Sequence, residues 1–405
     1  MSTTRVSSSR LVVPSRTRRV PSSARGMKPR ARAVQVSAWL ARADRERLRA
    51  FLHGRRRLVI GYEVLFAVAL AAWAVYRAYS PNIEPAGGEK FMEMAFINST
   101  LTSPRFPPTD PWLSGYAISY YYFGYVQAAL LVHLSALAPS VAFNLVIPGT
   151  FAMTCLGAFG LGADMVGLDA RASRRAAMLA GGLAASLTAV LGSLVGAVEL
   201  GFLRGLGGEG PYRWLAIRDL TPGGVCDTDG DGYGVGGLVP SRFIWWWRGS
   251  RVIYDLVNGH CAEIIHEFPQ FSFMLGDVHP HVLALPFVLA VLAVALAVLA
   301  GALDEELATR PGRRTVLAAL LVGGLGFLNT WDLPTFGSVV VVALVLRAWA
   351  LPVPELRLGR GDRVIGALAV AASAAAAWWI VPGLLEALRG IPPASQPVVA
   401  RASFA

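Results

Sequence analysis

Apolar runs of about twenty residues recur along this chain, and each is long enough to cross a hydrocarbon core of roughly 30 Å. They cover residues 58–79, 141–166, 176–200, 281–303, 315–330, 336–351 and 364–385. Lipid offers no partner for backbone N–H and C=O groups, so a lone crossing segment must be a helix that satisfies them internally. The pattern therefore predicts an all-α, polytopic integral membrane protein with about seven transmembrane helices. Composition agrees. Only 16% of the residues are charged and the mean hydropathy is +0.50, whereas an ordinary soluble domain carries about 25% charged residues.

An eighth run, 117–138, is ambiguous, and the arginines decide it. Cytoplasmic loops carry an excess of Lys and Arg. If 117–138 does not cross, three arginine clusters lie on the side of the N-terminus: Arg171, Arg174 and Arg175; Arg310, Arg313 and Arg314; Arg357, Arg360 and Arg363. If it crosses, all of them lie opposite. The sequence thus predicts a plasma-membrane protein with a cytoplasmic N-terminus and an interfacial or re-entrant helix at 117–138. Two long outer loops follow, 80–116 and 201–280, with a short third one, "NTWDLPT", at 329–335.

The formal net charge of +11 is concentrated in one place. Residues 1–57 hold sixteen Lys and Arg against only Asp44 and Glu46. This Ser-, Arg- and Pro-rich tail has no apolar periodicity, so it is expected to be disordered and to touch anionic lipid. A nucleic-acid surface would need basic residues interleaved with stacking aromatics on a folded face; a nucleic-acid partner is not indicated. The stretch ahead of residue 58 does not read as a signal peptide, and Met27 is a second candidate start. The membrane domain is then 58–405. No phosphate-binding loop, dinucleotide fingerprint or hydrolase signature is present.

The chemistry-bearing residues gather in the predicted outer loops. "GGEKFMEMAF" carries Glu89, Lys90 and Glu93, with the two acids four apart and on one face of any helix. Paired carboxylates beside a membrane suit a general base or metal ligands; Asp110, from "PPTDPW", is a further acid of this loop, and Lys90 is a candidate for holding substrate. Glu63 falls inside the first apolar run and is expected to face the bundle, where a partner offsets the cost of its charge. In "DVHPH", Asp277, His279 and His281 are spaced by two, and Pro280 favours an extended backbone before it. Alternate residues of an extended segment share a face, so these three are expected to converge as ligands for a divalent metal ion or a phosphate.

Aromatic and weaker signals complete the reading. Tyr120, Tyr121 and Tyr122 lead the 117–138 run. They suit either an interfacial anchor or the wall of a polar cavity. "SRFIWWWRGSRVI" flanks Trp245–Trp247 with Arg242 and Arg251, which fits a lipid headgroup, a lipid-linked phosphate or simple anchoring. His260, Glu263 and Glu267 would share a face if 256–267 were helical. "DTDGDGYG" places Asp227, Asp229 and Asp231 at the first ligand positions of a calcium loop, but Leu238 stands where that loop needs Glu. Cys226 and Cys261 are a candidate disulfide.

The segments "EKFMEMAF", "FPPTDPWLSGYAISYYYFGY", "AFNL" and "EFPQFSFMLGDVHPHVLALPF" resemble a family of multi-pass membrane proteins named for its YYY motif, over roughly residues 58–405. That family is distantly similar to the GT-C glycosyltransferases, which carry acids in the first outer loop ahead of interfacial helices. The resemblance implies transfer of a sugar from a polyprenyl-phosphate donor to an acceptor at the outer face, with Glu89 as the loop acid and Asp110 as a second candidate. An Asp-Glu pair is common in GT-C enzymes, where this chain has Glu89-Lys90. It also implies that the membrane domain continues beyond "ARASFA". An ion-coupled transporter or channel, or a lipid-binding scaffold without catalysis, are the alternatives.

Overall fold

A computed structural model describes residues 45–83, 88–215, 217, 220–221, 249–309 and 311–350. The basic tail to residue 44, the predicted calcium loop, Cys226, Arg242, Trp245–Trp247, Arg357, Arg360, Arg363 and the 364–385 run lie outside those residues. Among the described residues the chain is almost wholly helical. α1 (Arg45–Gly54) leads into α2 (Arg56–Ala78), followed by α3 (Lys90–Thr102), α4 (Phe123–Ser135) and α5 (Pro139–Gly167). α6 (Arg174–Ala185) runs on as a π-helical stretch, Ser186–Leu191, into α7 (Val195–Leu203) and a short α8 (Gly210–Leu215). A hairpin of β1 (Tyr254–Val257) and β2 (His260–Glu263) precedes α9 (Pro269–Leu275) and α10 (Pro280–Leu299). α11 (Asp304–Ala308), α12 (Arg313–Leu328) and α13 (Asp332–Ala350) complete the order.

Four of these helices, α2, α5, α10 and α13, are long and apolar enough to cross a membrane. The predicted 176–200 span is broken: Arg174–Leu191 and Val195–Leu203 meet at 79°. Gly192, at φ +46°, forms the corner against Phe268. α12 has 16 residues, one turn short of a typical span. α4, inside the ambiguous 117–138 run, has 13 residues and reaches only about 20 Å, so it is too short to cross alone. The chain is an integral membrane protein.

Local chemistry sets the helix ends. Pro139, Pro269 and Pro280 occupy first-turn positions, where the missing N–H costs nothing. Ser173 accepts a 3.1 Å bond from the Ala176 N–H and caps α6. Gly276, at φ +70°, closes α9 in the left-handed conformation. The tyrosines do not lead a helix as expected. Ile118 N–H bonds to the Pro108 carbonyl and Thr109 bridges Ala117, so the chain stays irregular until Tyr122 and α4 starts at Phe123.

Two further expectations fail on local grounds. Residues 256–267 are not a helix: Tyr254–Val257 pairs antiparallel with His260–Glu263. Asn258 and Gly259, at φ +54° and +79°, form the two-residue turn that such a hairpin needs. The shared helical face of His260, Glu263 and Glu267 therefore does not exist. Cys261 lies on β2 and is disulfide-bonded. Glu63 is exposed rather than turned into the bundle. α2 begins at Arg56, so Glu63 lies only about 10 Å from the helix start, within reach of the interface.

The core is a layer of aromatics and small residues. Trp73 of α2 stacks on Phe151 of α5 at 4.1 Å and donates its indole N–H to the Phe273 carbonyl of α9 at 3.3 Å. Gly124 lets Leu283 of α10 approach α4, because a Cβ there would come within 2.5 Å of it. α5 and α6 cross backbone to backbone. A Cβ on Gly181 would meet the Phe159 carbonyl at 2.7 Å, and one on Gly162 would meet Ala184 at 2.6 Å. Close approach through small residues is how helices associate in lipid, where hydrophobicity gives no advantage to packing.

Gly181→Leu should therefore destabilise the bundle by about 1–3 kcal/mol, the usual cost of overpacking. Gly182→Leu is the control, since nothing lies within 4 Å of its Cβ position. It should leave the unfolding midpoint in detergent nearly unchanged.

Candidate functional site

The charged residues collect at one end of the bundle, away from the loops that carry Arg171, Arg174, Arg313 and Arg314. Lys90 and Glu93 come from the first turn of α3, with Glu89 at its N-cap. Arg77 closes α2, and Asp277 and His279 lie in the extended link between α9 and α10. Arg77, Lys90, Glu93 and Asp277 are all buried, and Glu93 is wholly so.

Glu93 ties α3 to that link. Its Oε2 accepts the Val278 N–H at 2.7 Å. Its Oε1 has nothing to accept from, yet the side chain is within hydrogen-bonding reach of the Asp277 carboxyl. Both facts fit a protonated Glu93 that donates to an ionised Asp277. Burial, and then the Asp277 charge, hold Glu93 well above the ordinary glutamate value. The Asp277 carboxyl accepts the Glu89 N–H, at 3.2 Å to Oδ1, and Arg77 and Lys90 lie close by. Gly88, at φ +79°, has to be glycine here: a Cβ would come within 2.7 Å of the Asp277 carboxylate. Burial, followed by repulsion from Arg77, lowers the Lys90 ammonium.

Beside this acid pair runs a line of hydrogen bonds. Tyr120 Oη lies 3.1 Å from His279 Nε2, which is also 3.5 Å from Glu89 Oε2. His279 Nδ1 faces His281 Nδ1 at 2.6 Å, so one proton is held between the two rings. His281 Nε2 meets Glu267 Oε2 at 2.6 Å, and Ser272 donates to the same carboxylate oxygen at 3.2 Å. Burial raises Glu267, but the bond and charge of His281 outweigh it, and the net shift is downward. Burial and the neighbouring His281 lower His279. Burial and the nearby acids push the Tyr120 phenol up to about 12. Asp332, at the start of α13, is electrostatically coupled to His281.

The predicted residues divide accordingly. Glu89, Lys90, Tyr120, Asp277, His279 and His281 come together. Asp277 does not converge with the two histidines: it faces the Glu89 N–H and Glu93, while His279 and His281 face each other. Among the described residues no group of three His, Cys, Asp or Glu side chains is arranged around a common metal position. Asp110 turns back on its own loop and accepts from the Trp112 and Leu113 N–H groups at 2.8 and 2.9 Å. Tyr121 packs against Tyr120, and Tyr122 caps α4 and packs on the core. Arg251 bonds Ser250 and lies over the Phe271 ring.

Arg77, Ser272 and Tyr125 were not singled out as site residues, and Glu267 was named only with His260 and Glu263 as sharing a helical face. Tyr125 is wholly buried, and its hydroxyl has no hydrogen-bond partner among the described residues. Arg77 had one legible signal, a charge near the end of an apolar run. Glu267 reaches the site through His281, which no spacing in the sequence indicates.

The protonated state of Glu93 is testable. Its folded value is raised, so its contribution to stability is fully present below the unfolded value near 4.5 and is lost as pH rises through the folded one. Glu93→Gln keeps both hydrogen bonds and cannot ionise. Its stability relative to wild type should rise between pH 5 and pH 8 in thermal unfolding. Glu93→Ala leaves buried partners unpaired and should cost about 1–3 kcal/mol.

No curated protein and no solved structure matches the chain. The pattern of one family, described as "Uncharacterized membrane protein (DUF2298)", matches residues 27–389. That match takes in α1 to α13 and the whole charged cluster, and the chain belongs to this family of membrane proteins.

Proposed function

We propose that the chain is a membrane transferase of GT-C type, moving a sugar from a polyprenyl-phosphate donor to an acceptor hydroxyl at the extracytoplasmic face of the plasma membrane. One observation carries this reading. Glu89, an exposed carboxylate, is held beside His279 at the rim of a buried set in which Lys90 and Arg77 flank the proton-sharing Glu93 and Asp277. Acid–base chemistry and a cationic seat for a leaving phosphate thus lie together at one end of membrane-spanning helices.

In this mechanism Glu89 removes the proton of the acceptor hydroxyl as its oxygen attacks the anomeric carbon. The bond between that carbon and the phosphate oxygen breaks, and the phosphate leaves with the electron pair. Lys90 and Arg77 stabilise the charge that develops on it, and their interactions are strong because both are buried. Asp277 acts through position: by accepting the Glu89 N–H it fixes the start of α3. His279, with Tyr120 and His281 behind it, receives the proton from Glu89 and resets it.

The break between α6 and α7 favours a second reading, an ion-coupled transporter, because such folds use discontinuous helices. The charged cluster sits at one end of the bundle rather than at its middle, which supports the transferase. In membranes supplied with labelled polyprenyl-phosphate sugars, Glu89→Gln should lower transfer by about 10²–10⁴-fold, the usual contribution of general base catalysis. Asp277→Asn should lower it too, and Asp110→Asn should not. Absence of transfer from every donor, together with ion flux into vesicles, would replace this reading with transport.

A further inference from the structure

A groove of about 570 Å³ lies at the same end of the bundle, between the last turn of α2 and the first turns of α5. Phe91, Val141 and Leu145 form its apolar walls and are exposed, while Arg77 and Asn144 line its polar part. We propose that this groove seats the phosphate-bearing end of a membrane lipid, with Arg77 on the phosphate and the first part of the hydrocarbon chain along Phe91, Val141 and Leu145. The inference deepens the transferase reading and rests on it for one point, that the lipid is the donor.

Three observations carry the site. First, the Arg77 guanidinium is already oriented. Its Nε donates to Asn144 Oδ1 at 2.8 Å and its Nη2 to the Asn82 carbonyl at 3.3 Å. Gly276 lets it approach closely, since a Cβ there would lie 2.6 Å from Nη1. Both acceptors are neutral, and the fork has five N–H donors. A fixed guanidinium binds phosphate through two parallel bonds and loses little freedom in doing so.

Second, the local charge is unbalanced. Arg77 and Lys90 are both buried, and burial together with the Asp277 charge holds the neighbouring Glu93 carboxyl well above the ordinary glutamate value, which favours its neutral form. A phosphate completes the set. Third, apart from Asn82 and Ser140 the rest of the lining is apolar and open, which suits a hydrocarbon chain. A free phosphate ion would leave that surface uncovered. The volume is within the usual range for a ligand site, roughly 300–1,000 Å³.

The test uses the full chain in detergent and a short-chain isoprenoid monophosphate as the probe, with binding read by native mass spectrometry and no turnover. Binding should weaken at least tenfold in Arg77→Gln, and Arg77→Lys should restore part of it. Val141→Trp, on the exposed wall, should also weaken it at least tenfold, and this variant does not disturb a buried charge. Inorganic phosphate should not displace the probe at equal concentration. Equal binding of the corresponding isoprenoid alcohol, or affinity unchanged in both Arg77→Gln and Val141→Trp, would overturn the site.

The two readings fail separately. Probe binding by a wild-type protein that transfers sugar from none of the donors would support the groove and reject the transferase. Transfer that survives both groove variants would reject the groove alone. Displacement of the probe by phosphatidylglycerol, but not by phosphatidylcholine, would support an anionic-lipid seat whose occupant is a bulk lipid and not the donor.

Discussion

Glu93 and Asp277 meet where both side chains are buried, one from α3 and the other from the link into α10. Two ionised carboxylates cannot share such a place, and a single proton between them removes most of the repulsion. The arrangement around them depends on the backbone hydrogen bonds that the two carboxyls accept. Glu93 also takes the Val278 N–H, and Asp277 takes the Glu89 N–H. The pair therefore joins two segments that are more than 180 residues apart in sequence. Glu89 and His279 are neighbours only because each is next to one half of this joint.

The helical frame makes the joint rigid from below. Trp73 bridges α2, α5 and α9 through stacking and an indole hydrogen bond, and Gly124 admits Leu283 beneath the tyrosines. Trp73 lies four residues before Arg77 on α2 and Phe273 four residues before Asp277, so packed aromatics stand next to both charged residues. Tyr120 and Tyr122 serve both structure and site. Each packs on the core, and Tyr120 also presents its hydroxyl to His279. The two uses considered for this motif are therefore compatible at Tyr120.

Much of this was legible in the sequence. Span length and arginine placement gave the helical frame and the non-crossing 117–138 run, because lipid thickness and backbone hydrogen bonding leave few alternatives. The acids of α3 and the histidines before α10 were recognisable as chemistry-bearing groups beside apolar runs. Their partners were not. Asp277 was expected to join His279 and His281 on one face, but the left-handed Gly276 before it and the helix start after it turn its carboxylate toward α3. Asp110, a second candidate acid by resemblance, accepts the Trp112 and Leu113 N–H groups of its own loop, a pairing that its sequence position did not disclose. The Asn258-Gly259 turn was readable, and the helical reading of 256–267 overlooked it.

The sequence by itself determined that the chain crosses a membrane as helices and where its charged groups concentrate, since both follow from local length and composition. Only the tertiary structure decided which of those groups are buried together, that Glu93 meets Asp277, and that Arg77 lines a largely apolar groove. Those outcomes depend on distances between segments far apart in the chain. In a buried setting a few ångströms decide whether a carboxyl is ionised, protonated or paired.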